Sequence, residues 1–490
     1  MRVAVALVLW AGQVMAADLV TLPGPGTVSV TIYRDNLAMV RELRSLTLEP
    51  ETRVIEFAGV SDGILPPSAS VTGLPGPVRE QNFDYDLLTP ASLMEKSVGR
   101  QVRLIRTLPG SGKVTEDVAT VLSAKAGLLL SINGKTEAFS CSGLPERLSF
   151  DALPAGLRSS PTLSAKLETS AGGPADVALQ YLTASLGWSA NYVATVAADG
   201  RSLDLRGMIT LTNHGSVPLE DAEVFAVAGE LNRTGVGAQG FRMSHWYGNC
   251  WPSGELYAPG QVKYYAAAAP VPAPMMAMAR EMADQVQAEA EQLADYQLYK
   301  LPVRTTVAAH QSKQVAFLAK DGVRFEPVYR LELMGVDFDP DRVLYPAVIL
   351  KLQNRQKTGL GEPLAAGVIH VLGSGPDGPY PLAEATIQDI PVGAPFEIRL
   401  PEMTTVQITS MIKREKMTAK AIEKTVHHVI RNSKDEAVTV ELDQAMPGAE
   451  IHIKAASTRS EPLRANLRRW TVEVPARGER TLSYTVEVPQ

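Results

Sequence analysis

The sequence predicts a mainly β, multi-domain protein, with β-sandwich-like lobes, a small β-barrel-like domain and one helical or flexible insertion. Three observations carry this expectation. Apolar and polar residues alternate at period two in many short runs, as in half-buried strands. Asn-Gly and Asp-Gly pairs separate several of these runs, as in tight hairpins. A chain of 490 residues also exceeds what one ordinary core accommodates.

In chain order, residues 1–16 read as a secretory signal peptide. Arg2 supplies the positive charge, residues 3–11 the apolar run, and Val14-Met15-Ala16 a peptidase site with cleavage expected before Ala17. The alternative is a first strand that is merely apolar. No Cys follows the run, so a lipid anchor there is not expected. No later stretch approaches the roughly 20 apolar residues of a membrane-spanning helix. A periplasmic or secreted location follows, with no transmembrane segment after cleavage.

Residues 17–88 are expected to form an N-terminal β domain. Val28, Val30 and Ile32 alternate with Ser29, Thr31 and Tyr33, Arg34-Asp35-Asn36 makes a turn, and residues 53–58 form another strand. Residues 89–156 are expected to be the barrel-like domain. Thr89-Pro90 starts a helix with an N-cap and a first-turn proline, and short strands at 101–105, 118–123 and 128–132 lead to the Asn133-Gly134 turn. Residues 157–265 read as a first sandwich-like lobe, with strands flanking Asp199-Gly200. Residues 266–297 are an Ala/Pro/Met-rich helical or flexible insertion, and 298–490 a second lobe. Its final strand alternates Leu482, Tyr484, Val486 and Val488 with Thr481, Ser483, Thr485 and Glu487.

Asn213, Asn354 and Asn432 each end an extended run and precede a polar turn. Tandem modules would produce this pattern, and so would the general fitness of Asn for turns. The net charge of −6 and the scattered basic residues do not point to nucleic acid or an anionic membrane. Cys141 and Cys250 are the only cysteines, and form either one disulfide or two separately buried thiols.

Reaction motifs are scarce, and no cofactor motif is present. Gly110-Ser111-Gly112-Lys113 departs from a phosphate-binding loop at Thr107 and Val114 and reads as a hairpin tip. His427 and His428 are adjacent in a strand and point to opposite faces, so no metal site is assigned; His370 and His452 stand apart. Asp337, Asp339 and Asp341 lack the Gly and Glu of a calcium loop, with Arg342 and Val348 in their places. The most unusual segment surrounds Trp246, Tyr247, Trp251 and Tyr257. Such rings suit a glycan or an envelope protein as partner, or else plug a domain junction.

Tyr181-Leu182-Thr183, Trp188-Ser189-Ala190-Asn191-Tyr192, Leu211-Thr212-Asn213 and the block from Leu360 to Gly367 carry a resemblance. Together with Leu298-Tyr299-Lys300-Leu301 and the Asn432 strand pair, they resemble the domain of unknown function 4139 family over roughly residues 157–488. Gly393-Ala394-Pro395-Phe396-Glu397 departs from the family pattern, and the long coiled coil of some relatives is missing. The resemblance implies an exported, β-rich envelope protein and carries no catalytic residue across. The expectation is a non-catalytic binding or scaffold protein. The alternative is an envelope hydrolase acting on glycan or peptide, for which no catalytic residue is legible.

Overall fold

The computed structural model describes residues 19–229 and 289–489, apart from short stretches at 23, 25, 51, 85, 109–110, 125–127, 140–145, 155, 169–171, 294–295, 418–420, 447–449 and 451. The architecture is mainly β in several sheets, as the alternating runs require. In the strand Thr27–Tyr33, Val28, Val30 and Ile32 are buried; in Ser202–Asn213 every second residue is buried along the whole length. Among the described residues, no helix is long and apolar enough to cross a membrane.

The N-terminal part is a pair of facing sheets. One runs Leu19–Leu22, Val54–Ala58, Thr162–Leu167 and Val78–Asp84 in spatial order. The other contains Leu219–Ala228, Thr27–Tyr33, Leu37–Leu48 and Gly173–Thr183, with Thr27–Tyr33 parallel to Leu219–Ala228. Strands after residue 157 therefore join sheets begun before residue 89. Between the two sheets lies a buried ion pair. Arg44 donates to Glu42 at 2.6 Å and to the carbonyls of Leu22 and Ala58 at 3.0 and 3.1 Å. The Tyr181 hydroxyl donates to the other Glu42 oxygen at 2.8 Å. A buried pair is tolerable only when its polar atoms are satisfied in this way.

The small domain is an insertion between the neighbouring strands Val78–Asp84 and Thr162–Leu167. Its stalk is held by Leu88 N–H donating to the Arg158 carbonyl and Arg158 N–H donating to the Asp86 carbonyl. The expected barrel does not close. Strands Lys135–Phe139, Leu128–Ile132, Val114–Ser123, Gln101–Thr107 and Glu146–Ser149 form an open sheet whose outer strands do not pair. A closing ladder needs matched outer strands with a suitable tilt, and Glu146–Ser149 has only four residues. The helix Pro90–Glu95 supplies Met94 to the core instead. Its start is as the sequence predicts: Ser92 N–H donates to Thr89 Oγ1 at 3.1 Å, and Pro90 occupies the first turn. This core, centred on Leu104, Val121 and Leu130, is separate from the main one.

The rest of the chain forms sandwich lobes joined by one strand of 24 residues, Gln311–Met334. Its first half pairs with Ser202–Asn213; its second half lies between Ala347–Gln353 and Val438–Ala445. In the last lobe, Val406–Met417, Ala421–Asn432 and Glu479–Pro489 pack on Val438–Ala445 and Leu467–Val474. Trp470 stacks on Tyr484 across this core with ring centroids 4.4 Å apart. A buried hydrogen-bond chain runs beside them: Ser410 Oγ to His428 Nδ1 at 2.7 Å, His428 Nε2 to the Tyr484 hydroxyl at 3.1 Å, and that hydroxyl to Gln444 Oε1 at 2.8 Å.

Asn213, Asn354 and Asn432 are all buried and perform the same task. Their Oδ1 atoms accept from the backbone N–H of Gly215, Gly361 and Lys434 at 2.9, 3.1 and 3.0 Å. Their Nδ2 groups donate to the carbonyls of Val217, Glu362 and Glu436 at 2.9, 2.8 and 2.8 Å. Asn354 and Asn432 also bond the carbonyls of Pro391 and Pro475, in the turn before the next strand. Asn213 and Asn432 share one corner, bonded to residues two and four places on, whereas Asn354 makes the same two kinds of bond across a longer loop.

Two outcomes follow for stability. Leu104→Ala removes a fully buried side chain from the small core at a cost of about 3 kcal/mol. Hydrogen exchange should rise across 101–132 while Gln311–Met334 keeps its protection; equal loss in both would show one cooperative unit. Burial, aided by His427, holds the His428 pKa down to about 3 from 6.5. The unfolded chain therefore binds a proton that the folded chain refuses. No stability is lost above about pH 6.5; the loss grows as pH falls and saturates near pH 3, at about 5 kcal/mol. Urea midpoints for His428→Gln should fall less steeply than wild type between pH 6 and 4, and parallel curves would refute this assignment.

Candidate functional site

Trp246, Tyr247, Trp251, Tyr257, Cys141 and Cys250 lie outside the described residues. The residues carrying the family resemblance prove to be architectural. Trp188 Nε1 donates to the Val227 carbonyl at 3.2 Å and the Tyr192 hydroxyl to the Ala365 carbonyl at 2.8 Å. Arg34 lies over the Trp188 ring and bonds Asp389 at 2.8 Å, while Ala366 N–H donates to the same carboxylate at 2.7 Å. A side chain on Gly367 would meet the Ala190 carbonyl oxygen at 2.1 Å, so the parallel pairing there requires glycine. These groups lock strands together.

The other motifs behave similarly. Leu108–Lys113 is a hairpin tip closed by Leu108 N–H donating to the Lys113 carbonyl, as its sequence indicates. His428 is buried, whereas His370 sits on a strand surface 3.4 Å from Glu384. Asp339 caps its own turn through Asp341 N–H, and Asp337 pairs with Lys424. Among the described residues, no three His, Cys, Asp or Glu side chains are grouped to hold a metal ion.

One cluster of carboxylates invites comparison with an acid–base pair. Arg330 bonds Glu397 at 2.6 and 2.9 Å and Glu441 at 2.7 Å; Lys351 also bonds Glu441, and Arg469 clamps Asp443 with two 2.6 Å bonds. A general acid needs a raised pKa. Here hydrogen bonds from Arg330 hold Glu397 below the usual value. Burial opposes the charge on Glu441, but bonds from Lys351 and Arg330 overcome it and leave its pKa lowered. Both groups stay ionised and neutralised, so the cluster is an ion ladder across a sheet face, with Val328, Ala347 and Ile349 buried beneath the long side chains.

An open surface lies on the small domain. A groove of about 440 Å³ lies between the helix Pro90–Glu95 and the strand Glu146–Ser149. Leu88, Pro90, Leu93, Leu148, Phe150 and Leu153 make its apolar walls. Leu153 is 61% exposed and Leu88 45%, although both have apolar neighbours available. Eight of the seventeen exposed large apolar side chains among the described residues fall between 88 and 153, which marks this domain as the sticky part of the surface. Among the described residues the strand is an edge: it pairs with Gln101–Thr107, and no strand pairs with its other side. Glu146 is tied to Arg106 at 2.9 Å, while Arg147 points outward and makes no ion pair among the described residues.

Sequence reasoning missed this groove. The available signal was the alternation Leu148-Ser149-Phe150 after Pro145, followed by Leu153 before Pro154. That pattern indicates a short strand with apolar neighbours, but not whether the neighbours are covered.

For the ion ladder, Arg330→Met should destabilise the chain by about 2–3 kcal/mol, because Glu441 keeps only part of its compensation. Chemical denaturation checks this; an unchanged midpoint would mean Lys351 and Arg469 suffice.

Neither a family model nor any curated protein matches the chain.

Proposed function

We propose that the chain is an exported cell-envelope protein that acts by binding or scaffolding, with the groove of its inserted domain as the binding surface. The observation that carries this reading is the apolar groove beside a strand edge unpaired among the described residues, on an inserted domain with its own core. Such an arrangement lets a recognition surface stand clear of the sheets that support it. The export part rests on Arg2, the apolar run and Val14-Met15-Ala16, and on the resemblance to the domain of unknown function 4139 family. The neutralised carboxylate ladder lends no support to hydrolysis at that position.

The test is capture from envelope extract with the tagged chain from Ala17, compared with the double variant Leu88→Asp, Leu153→Asp. Both side chains are largely exposed, so the fold should survive. A partner retained by wild type and lost by the variant is the expected result. Equal capture by both chains refutes the groove, and recovery of cleaved or trimmed material transfers the assignment to a hydrolase.

A further inference from the structure

Resting on the binding reading above, we propose that the groove takes an extended peptide as a sixth strand, paired along Glu146–Ser149, with apolar side chains at alternate positions and a carboxylate opposite Arg147.

Three features select this occupant over a compact apolar molecule. First, among the described residues Glu146–Ser149 pairs antiparallel with Gln101–Thr107 on one side only. Alternate residues of such a strand turn their N–H and C=O groups away from the paired neighbour, here into the groove. Hydrocarbon laid over these groups would leave them without partners, whereas another extended backbone satisfies them. Second, the apolar walls lie along the strand. Leu148 and Phe150 come from its line, and Leu88, Leu93 and Leu153 face them, so alternate side chains of an added strand meet apolar surface. Third, the charge at the rim is unbalanced. Glu146 is buried against Arg106, which leaves exposed Arg147 as the charge presented to the groove. A peptide carboxylate there gains a partner, and a lysine meets repulsion.

The open sheet explains why the site exists. A closed barrel would have used this edge internally; here the short helix stands off from it, and the gap is the groove.

The experiment uses the whole chain and a defined probe, a ten-residue peptide alternating Val and Thr with one central Asp, labelled for fluorescence anisotropy. Two further versions carry N-methyl groups on alternate backbone nitrogens, one on each parity. An extended chain shows one parity of N–H to each edge, so one version should bind at least about tenfold more weakly and the other close to the parent. The protein is unaltered in this comparison, so misfolding does not enter. Replacing Asp by Lys should weaken binding to wild type, and Arg147→Glu should reverse that preference. Leu153→Asp should weaken every version. If both methylated peptides bind like the parent while Leu153→Asp still weakens binding, strand addition is wrong and the groove reading stands. If Leu153→Asp has no effect on a peptide that binds, the groove reading itself falls. Absence of binding by all versions at millimolar concentration overturns the proposal.

Discussion

Where a buried strand ends, its last backbone groups lose their ladder and must find other partners, and the lobes of this chain depend on how that need is met. Asn213, Asn354 and Asn432 meet it with a neutral amide that both accepts and donates. Aspartate at these places would accept but not donate, and would add a buried charge. An aliphatic residue would leave an N–H and several carbonyls unpaired, each at roughly 1–3 kcal/mol. With the corners fixed, the turns that follow bring the next strands into register: Asn432 N–H reaches the Gly478 carbonyl, and Asn354 N–H the Ala394 carbonyl. The same economy governs two buried sets of charged groups. Glu42 with Arg44 and Glu441 with its cations each sit in closed sets of partners, so polarity inside the structure specifies strand placement without leaving charge exposed to the core.

The chain divides its labour accordingly. Trp188, Tyr192 and Gly367 lie where strands from distant parts of the chain meet. Their chemistry is spent on one another. The inserted domain has the opposite character: a small separate core, a short stalk and apolar side chains left facing outward.

Local patterns were the legible part of the fold. Val28, Val30 and Ile32 predicted a half-buried strand, Thr89-Pro90 a capped helix, and the alternation of His427 and His428 their opposite faces. Pairing was not legible. Period-two alternation tells which face of a strand is buried but not which strand lies beside it, so the return of Thr162–Leu167 and Gly173–Thr183 to the first sheets was invisible. Barrel closure failed as an expectation for the same reason, since closure is a relation between strand ends. The buried state of the three asparagines was also hidden, because an exposed turn would carry the same residue. The groove was the least legible feature of all: Leu88 and Leu153 look like core residues until the neighbours that fail to cover them are known.

The parallel pairing of Thr27–Tyr33 with Leu219–Ala228 has a consequence for the order of events during synthesis. A chain delivered from its N-terminus presents the first of these strands long before the second. Thr27–Tyr33 can form its hairpin with Leu37–Leu48 at once, yet its other edge must wait until more than two hundred residues have emerged. Pairings so distant close slowly, because loop entropy is lost before any contact compensates it. During that interval the half-built sheet shows an unprotected flank to every other chain in the compartment. A folding helper, or simple sparsity of the protein, would limit that exposure.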